Sequence, residues 1–253
     1  MRFSAKSARV ARVISFAATL IAPTLLSAQG LPDAKSLMEK HNVAIGGRAA
    51  IDKYQTMHMT ATMNIAAMGM DATMEVYRSK PNKLLQKIVI GPIGEILTGY
   101  DGKTAWTTNP MQGASIIEGE AAMSLKYQAD FFANLQTAES YPGAQTVEIT
   151  DFEGRKCYKV KVVRDGRDGM EFFDATTGLL AGFSGTQVTQ QGPVESTTVF
   201  EEYGDWGGLK LPKKIVQKGG PAGATITFTA VNFDKVDAAV FELPAAVKAL
   251  VKP

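Results

Sequence analysis

Apolar positions in this chain recur at two spacings, and the changes between them mark out its elements. Over residues 33–45, Leu37, Met38, His41, Ala44 and Ile45 fall at helical intervals, Asp33 stands at the N-cap position, and Gly46-Gly47 ends the run. A short helical turn over 48–53 follows. From Gln55 the period becomes two. Met57, Met59, Ala61, Met63 and Ile65 share one face, opposite Thr56, His58, Thr60, Thr62 and Asn64. After a turn near Gly69, Met70, Ala72, Met74 and Val76 continue on one face against Asp71, Thr73, Glu75 and Tyr77, which predicts a hairpin with a Met-rich side.

Further strands are predicted over 83–90, 94–100, 103–108 and 112–118, the middle pair joined by an Asp101-Gly102 turn. Residues 120–137 interrupt them. Met123, Tyr127, Phe131 and Leu135 stand four apart, with Leu125, Ala129 and Phe132 beside them, and this predicts an amphipathic helix with a wide apolar face. Strands resume over 145–151, 156–164, 169–174, 178–188, 194–203, 209–217 and 224–233, separated by Gly- and Pro-bearing turns. A last helical turn is predicted within 244–251. Eleven or so short antiparallel strands with few helices imply a mainly β fold, a strongly bent sheet or barrel. The absence of internal repeats and long linkers implies one domain over 29–253.

The N-terminus changes the charge picture. Arg2, Lys6, Arg9 and Arg12 precede an uncharged stretch over 13–26 that ends in Ser27-Ala28, the pattern of a secretory signal over 1–28 cleaved after Ala28. Its apolar part, about 14 residues, falls short of the roughly 20 that span a bilayer. Without the signal, 23 basic residues face 25 acidic ones, a net charge of −2 in place of +2. No basic patch points to nucleic acid. Gln29 stands where a lipid-anchored protein would carry cysteine, so a soluble periplasmic monomer is expected. The single cysteine, Cys157, lies in a strand-like run without a histidine nearby in sequence and reads as an inert thiol.

Candidate chemistry is sparse. His41 and His58 read as surface or boundary residues, and no zinc, calcium-loop or dinucleotide motif occurs. Gly182-Phe183-Ser184-Gly185 lacks the nucleophile-elbow spacing and falls among strands. The expectation is therefore a protein without catalytic residues, metal or cofactor. The over-supplied material is soft apolar surface: six of the 11 methionines (Met57, Met59, Met63, Met68, Met70, Met74) fall in one hairpin. Methionine suits a cavity that accepts flexible chains, and equally serves as core filler beneath helices.

Three segments resemble the LolA/LolB lipoprotein-carrier superfamily: residues 76–83 (Val-Tyr-Arg-Ser-Lys-Pro-Asn-Lys), residues 99–110 with Asp101-Gly102-Lys103-Thr104 and Trp106, and Phe241-Glu242-Leu243-Pro244. The resemblance implies an incomplete antiparallel barrel whose mouth is closed by helices, enclosing an apolar cavity for acyl chains. In the carrier an arginine before Pro-Asn latches the lid. Here that position is Lys80, which donates as a point charge without a planar fork. Arg78, two positions back on the same face, is the other latch candidate. Met57, Met59, Met63, Met70, Met74, Val76, Leu84, Phe131 and Phe132 are the expected cavity residues. The function implied is binding or carrying lipoprotein acyl chains or lipid in the periplasm, with an inner- or outer-membrane transfer partner. The alternative is an envelope-stress module that detects lipoproteins and contacts a membrane partner.

Overall fold

The computed structural model describes residues 30–164, 167–189, 192–219 and 223–251. The predicted export signal lies outside these residues, as do all or part of the turns expected at 165–166, 191–193 and 219–221. Helix α1 (Ala34–Ala44) begins at Asp33, whose carboxylate accepts the backbone N–H of Ser36 at 2.9 Å. Gly46, at φ 108°, turns the chain into α2 (Gly47–Asp52). A Cβ there would lie 2.5 Å from the Gly208 carbonyl oxygen, so both conformation and space call for glycine.

The strands are β1 (Thr56–Ile65), β2 (Met70–Ser79), β3 (Lys83–Ile90), β4 (Gly94–Tyr100), β5 (Ala105–Asn109) and β6 (Gly113–Ile117). Helix α3 (Gly119–Ala129) follows, then β7 (Gln145–Phe152), β8 (Arg155–Arg164), β9 (Arg167–Asp174) and β10 (Leu180–Thr189). β11 (Gly192–Trp206), β12 (Leu209–Gly219), β13 (Ala224–Phe233) and the short α4 (Ala245–Lys248) complete the chain. All thirteen strands form one antiparallel sheet in the order β6-β5-β4-β3-β2-β1-β13-β12-β11-β10-β9-β8-β7. Every neighbour is consecutive in sequence except β1 with β13, the pair that joins the two meanders. The sheet does not close, because β6 and β7 occupy its opposite edges.

The segment from β6 to β7 therefore crosses the concave face. The helix expected over 120–137 is shorter than its apolar periodicity: α3 stops at Ala129, and Asp130 takes φ −57°, ψ 122°. The Asp130 side chain then accepts the Phe132 N–H at 2.9 Å, a local bond that competes with the helical ladder. Phe131 and Leu135 are still buried, so the periodicity reported burial correctly through a backbone that had turned.

Three clusters fill the space between helices and sheet. Leu37 and Met38 of α1 pack on Val160, Val162, Phe173 and Leu180. Ile45, Ile51, Phe131 and Leu135 meet Met57, Leu209 and Leu211. Leu125 and Ala129 of α3 cover Val76, Leu84, Tyr100 and Ala105. Each fully buried aliphatic side chain contributes about 1.5–3 kcal/mol. A fourth cluster of Phe152, Cys157, Phe172, Ala181 and Val199 occupies the opposite face of the second meander, with the rings of Phe152 and Phe172 stacked at 3.9 Å.

On β4, the register opposes Gly99 to Trp106 of β5. A Cβ on Gly99 would stand 2.5 Å from the buried indole ring. Gly99→Ala is expected to destabilise the fold by about 1–3 kcal/mol through displacement of this rigid ring. Urea denaturation measures this, and an unchanged midpoint would show that the ring has room to move.

Candidate functional site

Polar contacts at residues 131, 134 and 136 tie the middle of the crossing to the strands and the N-terminal helices. Phe131 N–H donates to the Pro81 carbonyl at 3.1 Å. Lys80 Nζ donates to the Asp52 carbonyl at 3.1 Å, lies 3.3 Å from Asp52 Oδ1, and stands 5.5 and 5.3 Å from the ring centroids of Phe131 and Phe132. Arg48 covers the Phe132 ring at 4.2 Å. Lys80 thus joins α2 to the crossing as a point charge, through an ion pair and two cation–π contacts. Further along, Asn42 of α1 bonds Gln136 in both directions: its amide donates to the Gln136 carbonyl at 2.6 Å, and its Oδ1 accepts the Gln136 N–H at 2.8 Å.

His41 supplies the third tie and is not the surface or boundary residue expected from sequence. It is buried, and its Nδ1 accepts the Leu180 N–H at 3.0 Å. An accepting Nδ1 places the ring proton on Nε2, which donates to the Asn134 carbonyl at 3.3 Å. One neutral imidazole so connects α1, β10 and the crossing. Burial lowers its pKa from 6.5 to about 4.

Between the crossing and the sheet is a cavity of about 530 Å³. Ile45, Tyr127, Ala133 and Asn134 are among its helical and crossing-side residues, and strands β8 to β13 supply most of the opposite wall. Its lining mixes apolar side chains (Met59, Ile215, Ile226, Phe228) with hydroxyls and amides (Ser184, Thr198, Gln217). Strand register extends the apolar part beyond the cavity. Phe200, Ile215 and Ile226 line it, and the row continues through Met63, Ala72 and Ile90, each paired with the next across adjacent strands. A parallel row runs Phe228, Ala61, Met74, Ile88, Ile96.

Arg78 lines the same cavity, between Met57 and Leu84 in the cross-strand register. Its Nε is buried without a hydrogen-bond partner, and no carboxylate pairs with the guanidinium, among the described residues. Burial lowers its pKa, opposed by the charge of Asp130 nearby. A half-buried guanidinium without a direct counter-ion carries a desolvation cost and stays protonated. The other ionised groups along the wall are engaged or exposed. Arg167 pairs with Glu120 of α3, Asp168 with Lys161 at 2.7 Å, Glu171 has a partner, and Lys210 is exposed.

The residues anticipated from sequence separate into groups. Met59 and Arg78 line the cavity. Met74, Val76 and Leu84 lie in the cluster under α3, while Met57, Phe131 and Phe132 pack between α2 and β12. Met63 and Met70 pack with Ile65, Ala72 and Ile90 at the far end of the first hairpin. Sequence reasoning missed the β9–β12 wall, whose Gly169, Ser184, Gly185, Thr186 and Ser196 gave no local signal beyond small size. On the opposite face of β1 and β2, His58 Nε2 lies 2.9 Å from Glu75 Oε2, which also accepts the Tyr77 hydroxyl at 2.5 Å, with the His58 and Tyr77 rings stacked. Burial pushes the Cys157 thiol up to about 11, in keeping with an inert role. Among the described residues no cluster of three or more His, Cys, Asp or Glu side chains could hold a metal ion.

No protein-family model and no curated protein matches the chain. Solved structures match its fold. A DUF1329 family protein from Desulfovibrio piger superposes with a TM-score of 0.57 at 12% identity, covering 84% of this chain and 98% of that one. A LolA superfamily protein from Nitrosomonas europaea gives 0.54 at 12% identity, with the same coverage. A domain from Vibrio parahaemolyticus assigned to outer-membrane lipoprotein sorting gives 0.51 at 9% identity, covering 79% and 92%. The fold is thus LolA-like, an open curved antiparallel sheet with short helices across it, as the sequence resemblance implied.

Two ties are open to measurement. Above pH 6.5 His41 is neutral in both folded and unfolded chains. Between 6.5 and about 4 only the unfolded chain takes up the proton, so stability falls as pH falls through this window, by about 3 kcal/mol at most. Urea unfolding of the parent and His41→Gln across pH 4–8 checks this: the variant should lose that part of the slope, and parallel curves would refute it. Lys80→Met should cost about 1–2 kcal/mol and speed amide exchange at Phe131 and Phe132 more than in α1. Exchange rates unchanged there would remove Lys80 as a tie.

Proposed function

We propose that this chain, after removal of its first 28 residues, is a non-catalytic periplasmic binding or carrier protein for lipoprotein acyl chains or other acylated ligands. The observation that carries this reading is the cavity beneath the crossing, together with the apolar row that leaves it along Ile226, Met63 and Ala72. At about 530 Å³ the cavity is in the range of single-ligand pockets, roughly 300–1,000 Å³. Each acyl methylene moved from water onto such a surface contributes about 0.8 kcal/mol without directional contacts, so chains of varied length are held by one wall. Methionines at the row's outer part adapt to that variety because they are unbranched and polarizable.

Release follows from the ties already described. The middle of the crossing is held by polar contacts from Lys80, His41 and Asn42 and by the burial of Phe131 and Leu135, and releasing these is a smaller step than unfolding the sheet. In this proposal a membrane transfer partner would load or unload the ligand by acting on the crossing. Among the described residues no helix is long and apolar enough to cross a membrane.

The reading is tested with delipidated protein and a fluorescent apolar dye. Dye should partition into the protein and be displaced by long-chain acyl compounds. Ile215→Asp, which places a carboxylate in the cavity wall, should weaken dye uptake by about tenfold or more, whereas Val89→Asp on an exposed position should leave it unchanged. Protein that takes up neither dye nor lipid would end the proposal.

A further inference from the structure

Arg78 is a half-buried cation of the cavity wall with no ion pair among the described residues. It follows Val76 on the concave face of β2, with Met57 and Leu84 as its cross-strand neighbours. Its Nε is sealed from solvent with no acceptor. Asp130, whose charge acts on it, is exposed at the end of α3 and spends Oδ1 on the Phe132 N–H. The side-chain Oε1 of Gln136, on the crossing, is a second buried polar atom of the same cavity without a partner among the described residues. Because the amide can be turned end for end, Gln136 can present a donor in that place.

A cavity meant only for hydrocarbon has no use for such a group. An acyl ester or neutral glyceride offers a guanidinium nothing stronger than a carbonyl, whereas a carboxylate or phosphate matches its planar fork with charge-assisted bonds. The carboxylate that shares this wall does not fill the role. Glu171 belongs to β9, separated from β2 by β1, β13, β12, β11 and β10, and has its own partner.

We propose that the cavity selects an amphiphile with an anionic oxyacid head, which Arg78 binds while the chain lies along the Met59, Ile226 and Ile215 wall. This rests on the cavity being a ligand site and adds the charge class of the ligand. The headgroup chemistry is shared by free fatty acids and alkyl or lipid phosphates, and the probes separate these sources.

The experiment uses delipidated protein and isothermal titration with hexadecanoate, hexadecyl phosphate and methyl hexadecanoate at one ionic strength, below micelle-forming concentrations. Either anion, or both, should bind at least about tenfold tighter than the ester; a preference for one of them identifies the source. Arg78→Met should bring acid and ester to similar affinity while keeping ester binding, and Arg78→Lys should restore part of the difference. Binding of neither anion more tightly than the ester by the parent protein would overturn the role of Arg78 and leave the cavity reading in place. So would an Arg78→Met protein that keeps the preference. Failure of all three probes together with failure of dye uptake would overturn the cavity reading itself, and this inference with it. The two anion-to-ester ratios of the parent decide the matter even if Arg78→Met does not fold.

Discussion

Two strands that follow one another in the chain, β6 and β7, lie at opposite edges of a thirteen-stranded sheet, and one segment has to span the concave face between them. Most other features of the molecule answer to that constraint. The segment begins as α3, turns at Asp130, and proceeds without a helical ladder, so its backbone N–H and C=O groups need partners from elsewhere. Local turns supply some of them, as Ala133 N–H to Asp130 and Tyr141 N–H to Thr137, and segments distant in sequence supply others. Asn42 and His41 reach Gln136 and Asn134 across 94 and 93 positions, and Pro81 accepts from Phe131. The helices at the N-terminus are thus anchors for the crossing as much as covers for the sheet.

Side-chain volume decides where the space under the crossing is filled. Beneath α3, Leu125 and Ala129 meet Val76, Leu84, Tyr100 and Ala105 in a solid cluster. Further along, Ala133, Asn134 and Gln136 border a cavity whose sheet wall includes the small residues Gly169, Ser184, Gly185 and Ser196. Keeping polar groups in its wall is costly unless each is neutral or partnered. His41 meets this by remaining an uncharged imidazole with both nitrogens bonded. Arg78, half-buried with its Nε sealed, has no counter-ion among the described residues, a local cost found at binding sites more often than in cores.

Features of short range were legible in the sequence. Asp33 and Gly46 marked the limits of α1, and the period of two in 56–79 located the first hairpin and its apolar face. The Asp101 turn formed as its chemistry dictates, with its carboxylate accepting the N–H groups of Lys103 and Thr104. The turn at Asp130 escaped because Phe131 and Leu135 kept a helical spacing that reported burial alone. The cavity wall escaped for a different reason. Thr186, Ser196 and Thr198 look like ordinary outward residues of strands, and only the curl of the second meander under the crossing makes them interior. His41 looked unremarkable because both of its partners are backbone groups of remote segments, for which a sequence carries no mark.

The methionines of the first hairpin and the cavity of the second meander look like separate features until the strand register is followed. β1 and β13 are the one pair that joins the two meanders, and Met63 opposes Ile226 across that seam. The apolar row therefore passes without interruption from a half-buried, adaptable surface on β1 and β2 into a covered cavity on β12 and β11. Among the described residues no helical side chain packs into the cluster at the outer end, whereas α1 and the crossing border the inner one. A chain longer than the cavity can thus keep one end enclosed and lay the remainder on a surface that tolerates different shapes. Lys80 and Arg78, two candidates for a single latch when only the sequence was in view, occupy different places in this layout. Lys80 ties the crossing to α2, and Arg78 lines the cavity, so the two cations occupy different environments.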